Sequence, residues 1–140
     1  MKKILVAAAV MACFGTAGAA EDINVDVAVI GAGGAGLSAA VQANELGAKV
    51  VVVEKMAMVG GNTVRAAGGL NATETALQKA KGTKDSVEIM YFDTMKGGHW
   101  LNDPALVRTL AEKSASSVDW LLAHGGDLRD VGLMAGATFP

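Results

Sequence analysis

Cysteine, proline, aromatic residues and surplus basic residues are all scarce in this chain. Its 140 positions contain one cysteine, two prolines and 4% aromatic residues, and 12 basic against 14 acidic residues give a formal net charge of −2. A single cysteine, Cys13, rules out a disulfide within the chain and haem attachment through a Cys-x-x-Cys-His motif. It also leaves no cysteine-based metal site, and we predict no metal. Because basic residues are not in excess, the sequence does not indicate a nucleic-acid partner.

The chain has no hydrophobic run that predicts a stable membrane span. The apolar stretch from Ile4 to Phe14 is too short for a hydrocarbon core of about 30 Å. It follows two lysines and precedes a series of small residues, which is the layout of a secretory signal peptide. We therefore predict a signal peptide at residues 1–20 and export to the periplasm. A membrane anchor and lipidation at Cys13 are the alternatives.

Glycine and small aliphatic residues are abundant instead, with 18 glycines and 51% hydrophobic residues. Two β-branched runs, 25–30 and 48–54, predict short parallel strands buried on both faces. Residues 34–46 predict a helix between them, ended by Gly47. Strand, glycine turn, helix and strand form the opening βαβ of a Rossmann-like α/β domain. No third strand is predicted, so we interpret residues 21–140 as the N-terminal part of a cofactor-binding domain whose sheet is incomplete here.

The second half of the chain predicts a helical segment. A first short helix is predicted from Thr73 to Ala80, with Thr73 as its N-cap. Asp85 and Glu88 form a capping-box pattern for a second helix, which is predicted to end near Gly97.

A third helix is predicted from the pair Asp103 and Pro104, because aspartate favours the N-cap and proline the first helical position. Gly125 is predicted to end this helix. Its predicted apolar face consists of Leu106, Val107, Leu110, Val118, Leu121 and Leu122.

The first glycine cluster, residues 31–36, contains the pattern G-x-G-x-x-G between a strand and a helix, the context in which it predicts dinucleotide binding. Gly31 would permit the tight turn, Gly33 would admit a pyrophosphate to the backbone, and Gly36 would let helix and strand pack closely. Glu54, at the end of the second strand, could accept hydrogen bonds from ribose hydroxyls. Its negative charge disfavours a cofactor with a phosphate on the ribose, such as NADP. The alternative is a glycine turn that binds nothing, with Glu54 in solvent.

The second glycine cluster, residues 60–69, favours FAD over NAD, because a plain NAD domain does not need another glycine-rich segment here. Its asparagine and threonine side chains can donate to phosphate, and its small residues leave room for a flavin ring. An ordinary turn and helix cap is the alternative. The cofactor candidates in this cluster are Asn62, Thr63, Ala67, Gly68 and Gly69.

These clusters, followed by the blocks 93–98 and 102–107, resemble the flavoprotein domain of soluble periplasmic fumarate reductases of the flavocytochrome c type, in the FAD-dependent oxidoreductase 2 family. Urocanate and methacrylate reductases share these motifs. The resemblance covers nearly all of the chain from Val25 onward. It implies contacts to FAD at Ala35, Glu54, Asn62, Thr63, Ala67 and Gly68.

The resemblance also implies a reaction. In membrane-bound relatives a histidine holds FAD covalently, and Asn62 stands in that place here, which implies non-covalent FAD. The family transfers a hydride from flavin N5 to an activated alkene, and its substrate-binding and catalytic residues lie beyond the equivalent of Pro140. We therefore predict an exported, FAD-dependent reductase of an unsaturated, fumarate-like carboxylate and name no catalytic residue in this chain.

Two further expectations concern partners and rival functions. The chain has no haem motif, so the resemblance implies a separate cytochrome c or another electron donor. The rival interpretations are another FAD flavoenzyme, such as a ketosteroid dehydrogenase or an aspartate oxidase, and a truncated, non-catalytic flavin-binding fragment.

Overall fold

The computed structural model describes residues 22–66 and 68–140, which belong to two compact units. We call residues 22–66 the strand unit and residues 68–140 the helical unit. The predicted signal peptide at 1–20 lies outside the described residues, as does Ala67. None of the helices in the described ranges combines the length and the apolar character needed to cross a membrane.

The strand unit contains the predicted βαβ arrangement. Strand β1 (Val27–Ile30) is followed by helix α1 (Gly34–Glu45) and strand β2 (Val50–Val53). The strands pair in parallel, with their first residues opposite each other and their last residues opposite each other. The sheet has two strands in the described part of the chain, so the predicted fold class and the predicted incomplete sheet are confirmed. Each strand is shorter by two or three residues than predicted.

The strands are less buried than their valine content predicts. Val50 to Val52 are half-buried, Val53 is 51% exposed and Ile30 is 81% exposed. Helix α1 packs against both strands, and α1 itself keeps Leu37 and Val41 partly exposed. Burial on both faces would need a second layer, which the described residues of this unit do not provide.

The helical unit contains three helices, as predicted: α2 (Ala76–Ala80), α3 (Val87–Gly97) and α4 (Pro104–Ala123). Its core is formed mainly by α3 and α4, which pack against each other. The buried apolar side chains of this pair of helices are Met90, Met95, Val107, Ala111 and Val118.

Helix α2 begins later than predicted, because Thr75 and not Thr73 is its N-cap. The Thr75 hydroxyl accepts a hydrogen bond from the Gln78 N–H at 3.1 Å, and the Gln78 side-chain oxygen accepts one from the Thr75 N–H at 3.0 Å. This reciprocal pair is a capping box. Thr73 is instead fully buried and donates its backbone N–H to the Ser114 hydroxyl.

Helix α3 begins with Ser86 as its N-cap, so the predicted capping box at Asp85 and Glu88 is wrong. The Ser86 hydroxyl accepts from the Ile89 N–H at 3.3 Å. The Asp85 carboxylate lies one residue too early for that role and accepts from the Ser86 N–H at 2.8 Å. The predicted end of the helix near Gly97 is confirmed.

Helix α4 begins as predicted. The Asp103 carboxylate accepts from the N–H groups of Ala105 and Leu106 at 2.8 and 3.2 Å, and Pro104 is the first helical residue. The helix ends at Ala123, and Gly125 turns the chain with a positive φ of 84°, which agrees with its predicted role.

The predicted apolar face of α4 is only partly correct. Leu106, Leu110 and Leu122 are 70%, 50% and 39% exposed. The face that is buried combines apolar and small residues at helical spacing, because a close approach to neighbouring segments selects small side chains as well as apolar ones. Its members are Val107, Ala111, Ser114 and Val118.

Candidate cofactor site

The turn after β1 has the close backbone packing that its glycines predict. Gly31 has a φ of 99° and donates its N–H to the Val53 carbonyl oxygen at 2.7 Å. A Cβ at Gly36 would overlap the Gly31 carbonyl oxygen and would lie 3.3 Å from Cγ1 of Val29. These two glycines therefore let the start of α1 lie directly against the turn.

The backbone at the N-terminus of α1 is accessible. Gly33 is the N-cap residue, and the helix has no side-chain cap from it. A Cβ built at Gly33 would meet only the Gly60 carbonyl oxygen, at 4.0 Å, so the space beside this backbone is open. The N–H groups of Ala35 and Gly36 belong to the first turn, where the helix dipole favours an anion. A pyrophosphate group therefore fits this end of the helix.

The second glycine cluster begins in contact with the first one. The Gly60 N–H donates to the Ala32 carbonyl oxygen at 2.6 Å, and Gly60 forms a parallel bridge with Gly33. Gly60 and Gly61 have φ values of 112° and 54°, and a Cβ at Gly61 would lie 3.3 Å from the Gly33 Cα. The missing side chain of Gly61 therefore allows the two backbones to approach this closely.

Thr63 extends from the second cluster to the N-terminus of α1. It begins a single 3₁₀ turn, Thr63–Arg65, and its hydroxyl accepts a hydrogen bond from the Gly34 N–H at 3.1 Å. Asn62 precedes this turn and is exposed. Of the two polar residues predicted in this cluster, Thr63 thus contacts the N-terminus of α1 directly, and Asn62 is its neighbour in the chain.

Glu54 is held at the end of β2 by backbone donors. One carboxylate oxygen accepts from the Met56 N–H at 2.8 Å and the other from the Ala32 N–H at 2.7 Å. These hydrogen bonds, with that of Met56 the larger cause and that of Ala32 next, lower the pKa of Glu54 below its ordinary value of 4.5. The carboxylate is therefore ionised at neutral pH, and its remaining lone pairs can accept from ribose hydroxyls. Both of its oxygens are bound by backbone donors, so Glu54 is not a free strand end.

The strand unit brings seven of the predicted cofactor residues together around the N-terminus of α1. The two predicted glycines that follow Ala67 lie in the helical unit, where both line a cavity of about 580 Å³, and Ala67 lies outside the described residues. The seven residues are Gly31, Gly33, Ala35, Gly36, Glu54, Asn62 and Thr63.

Three residues that hold this site together were not among the cofactor candidates predicted from the sequence: Ala32, Gly34 and Gly60. Ala32 binds Glu54 through its N–H and Gly60 through its carbonyl oxygen, and Gly34 binds Thr63. The Gly60-Gly61 pair signals a special backbone conformation, but no local pattern shows which distant residue each of these groups meets.

Comparison with known proteins identifies the family of this chain. Residues 26–137 match a family described as the FAD binding domain. A "Fumarate reductase (cytochrome)" of Shewanella frigidimarina is 56% identical over 115 residues, covering 82% of this chain and 20% of that protein. An "NADH:fumarate oxidoreductase" of Klebsiella pneumoniae is 46% identical over 115 residues, covering 82% of this chain and 12% of that protein.

A solved structure shares the fold. The open conformation of a flavocytochrome c3 fumarate reductase matches with a TM-score of 0.79 and 39% identity, covering 98% of this chain and 23% of the other. The chain thus spans about a fifth or less of the length of the relatives it matches. Because the family match extends over most of the chain, and because the glycine clusters and Glu54 fit its cofactor, the chain belongs to the FAD binding domain family and its cofactor is FAD.

Proposed function

We propose that this chain is the N-terminal, FAD-binding part of an exported reductase that acts on an unsaturated, fumarate-like carboxylate. The observation that carries the proposal is the pair of glycine clusters joined at the N-terminus of α1, beside the anchored carboxylate of Glu54, in a chain 56% identical to a fumarate reductase over 115 residues. The bound FAD would supply a hydride, from its reduced flavin, to one carbon of the substrate double bond.

Each part of the site has a separate task in this proposal. The N-terminus of α1, left open by Gly33, receives the pyrophosphate. Glu54 accepts hydrogen bonds from the adenosine ribose, since its carboxylate stays ionised and fixed by two backbone donors. Asn62 and Thr63 donate to the phosphate from the other side. Gly68 and Gly69, with Ala67, are assigned to the flavin ring.

The flavin is held without a covalent bond in this proposal. Covalent attachment needs a nucleophilic side chain, and the amide of Asn62 is not one. The family residues that bind the substrate and deliver its proton are not assigned to this chain, and the reducing electrons come from a separate cytochrome c or another donor. The signal peptide at residues 1–20 and the periplasmic location belong to the same proposal.

A titration of the full chain with FAD tests the cofactor site. We expect a bound flavin spectrum, release of intact FAD on denaturation, and an affinity about tenfold lower in Glu54→Gln, because the neutral amide is a weaker acceptor for the ribose hydroxyls. Glu112→Gln on the exposed surface of α4 is the matched control and should bind as the unmodified chain does. Flavin that stays with the denatured chain, or equal affinities for the two variants, would contradict the site.

The substrate class is tested by reoxidation of a reduced dye with the protein as it is purified from its native source. Fumarate, urocanate and methacrylate are offered in turn, and turnover of one of them supports the proposed reaction. Turnover of a 3-ketosteroid instead would favour the ketosteroid dehydrogenase alternative. FAD binding without turnover of any of these compounds would favour the flavin-binding fragment.

A further inference from the structure

We propose that Gly34 is a positioning residue for FAD, because its missing side chain lets the Thr63 hydroxyl bind the Gly34 N–H and present its own proton to the cofactor phosphate. This inference rests on the proposed function, in which FAD occupies the N-terminus of α1. Gly34 is one of the unspecified positions of G-x-G-x-x-G, so the motif itself assigns it no role.

The backbone conformation of Gly34 does not explain why this residue is glycine. Gly34 is the first residue of α1, and it is not among the residues with a positive φ. Alanine is normally the better residue in a helix. A requirement for glycine here must therefore come from a neighbour and not from the conformation.

That neighbour is Thr63. A Cβ built at Gly34 would lie 2.9 Å from the Thr63 hydroxyl oxygen, 3.2 Å from its Cγ2 and 3.5 Å from its Cβ. The first of these distances is shorter than real Cβ contacts allow, so a methyl group at this position would displace the Thr63 side chain. Glycine at position 34 keeps the hydroxyl within 3.1 Å of the Gly34 N–H.

This contact orients the hydroxyl proton. A hydroxyl has one proton to donate and two lone pairs to accept with, and the Gly34 N–H occupies one lone pair. The proton is then free to point to another acceptor, and at a helix N-terminus the acceptor that the dipole favours is an anionic oxygen. Thr63 thus caps α1 from 29 residues away and adds a donor to the same anion site.

A double-mutant cycle in the full chain tests the inference. FAD affinity is measured by quenching of flavin fluorescence for Gly34→Ala, Thr63→Ala, the double variant and Thr63→Ser. We expect each alanine variant to bind FAD about tenfold more weakly, because one hydrogen bond to a charged group is lost. The double variant should bind about as weakly as either single one, since both changes remove the same interaction. Thr63→Ser keeps the hydroxyl and should stay within about threefold of the unmodified chain.

Thr109→Ala is the matched control, because it makes the same substitution as Thr63→Ala at an exposed position of α4, where the hydroxyl only donates to the Ala105 carbonyl oxygen. It should leave FAD affinity unchanged. A Gly34→Ala chain that binds FAD normally, or single effects that multiply in the double variant, would overturn the inference.

A measurement without FAD separates this inference from the proposed function. Hydrogen exchange of the Gly34 amide in the FAD-free chain should be slower in the unmodified protein than in Thr63→Ala, because the hydroxyl protects that N–H. Equal exchange in the two proteins would overturn the Gly34–Thr63 contact, even if FAD binds. A protected Gly34 amide in a chain that retains no FAD would instead overturn the proposed function, and with it the phosphate role of Thr63.

Discussion

The strand unit and the helical unit differ in how the backbone groups at the N-termini of their helices are bound. In the strand unit, the N–H groups of Ala32 and Gly34 are bound by side chains 22 and 29 residues away. In the helical unit, each helix begins with a side chain from its own N-cap residue. These caps are Thr75, Ser86 and Asp103.

The two units also differ in how they treat apolar side chains. Ile30 and Met58 of the strand unit are 81% and 70% exposed, whereas Met95 and Val118 of the helical unit are 3% and 5% exposed. The helical unit therefore supplies its own core from α3 and α4. The close contacts in the described part of the strand unit instead form an accessible backbone surface at the N-terminus of α1. The packed core of α3 and α4 and this open backbone surface therefore belong to different segments of the chain.

Truncation of the helical core should have the largest effect. Met95→Ala is expected to lower the free energy of unfolding by about 3 kcal/mol, because it leaves a cavity between packed helices. Met58→Ala removes the same atoms from an exposed position of the strand unit and should cost less than about 0.5 kcal/mol. Urea denaturation of the full chain followed by far-ultraviolet circular dichroism measures both. Similar losses of unfolding free energy in the two variants would contradict the difference between a packed helical unit and an open strand unit.

A methyl group in the first glycine cluster should have the next largest effect. Gly36→Ala forces a Cβ into the Gly31 carbonyl oxygen. It is expected to lower the free energy of unfolding by about 2 kcal/mol, measured by the same urea denaturation, and to abolish FAD binding. Gly97→Ala in α3 has open space around the new atom and serves as the control for the change in stability. If Gly36→Ala changed neither stability nor FAD binding, the turn would be looser than its geometry indicates.

Removal of a local helix cap should have a smaller effect than the glycine substitution, and it should change stability alone. Thr75→Ala breaks the capping box of α2 and is expected to cost about 1 kcal/mol, with FAD affinity unchanged. Thr109→Ala, which removes an exposed hydroxyl from the interior of α4, is the control. The comparison sharpens if Thr63→Ala lowers FAD affinity as well as stability, because its hydroxyl caps α1 at the proposed cofactor site. It fails if Thr63→Ala and Thr75→Ala change FAD affinity alike.

The pH dependence of stability should show the smallest effect, because the carboxylates concerned are accessible to solvent. Backbone donors lower the pKa of Glu54 in the strand unit, and the Arg108 guanidinium lowers the pKa of Glu88 in the helical unit, both from 4.5. A carboxyl group whose pKa is lower in the folded state stabilises the protein fully when the pH is above its unfolded-state pKa. This contribution is lost as the pH falls through the folded-state pKa. Stability should therefore fall as the pH drops below about 4.5.

Variants assign this pH dependence to one unit or the other. Glu54→Gln and Glu88→Gln should each flatten the stability profile between neutral pH and acid, measured by thermal melts across that range. A profile that neither substitution changes would mean that other carboxylates cause the acid sensitivity.

Much of the fold could be predicted, because its signals are local. The β-branched runs, the G-x-G-x-x-G turn and the pair Asp103-Pro104 each act within a few residues and led to the correct elements. The errors arose where neighbouring residues compete for one role, as Thr73 and Thr75 do for the start of α2, or Asp85 and Ser86 for the start of α3. In each case the residue that became the cap was the one in reach of the first free N–H groups.

The glycine turns of the candidate cofactor site could be predicted from the sequence, but the contacts between them could not. The need for glycine at positions 31 and 36 could be predicted from their spacing, since Gly31 has a positive φ and Gly36 leaves no room for a Cβ. The sequence could not predict that Gly60 approaches Ala32 or that Thr63 contacts Gly34. These contacts join segments that are distant in sequence, and no local pattern indicates which distant segments meet.

The sequence by itself determined the βαβ opening, the three helices and the class of cofactor, because each depends on glycine spacing, side-chain branching or a cap within one turn. Only the tertiary structure decided that Val107, Ala111, Ser114 and Val118 form the buried face of α4, and that the Thr63 hydroxyl meets the Gly34 N–H. These outcomes depend on which distant segment arrives at a given surface and how closely it packs there. That is set by the shapes of both partners together and cannot be read from either one alone.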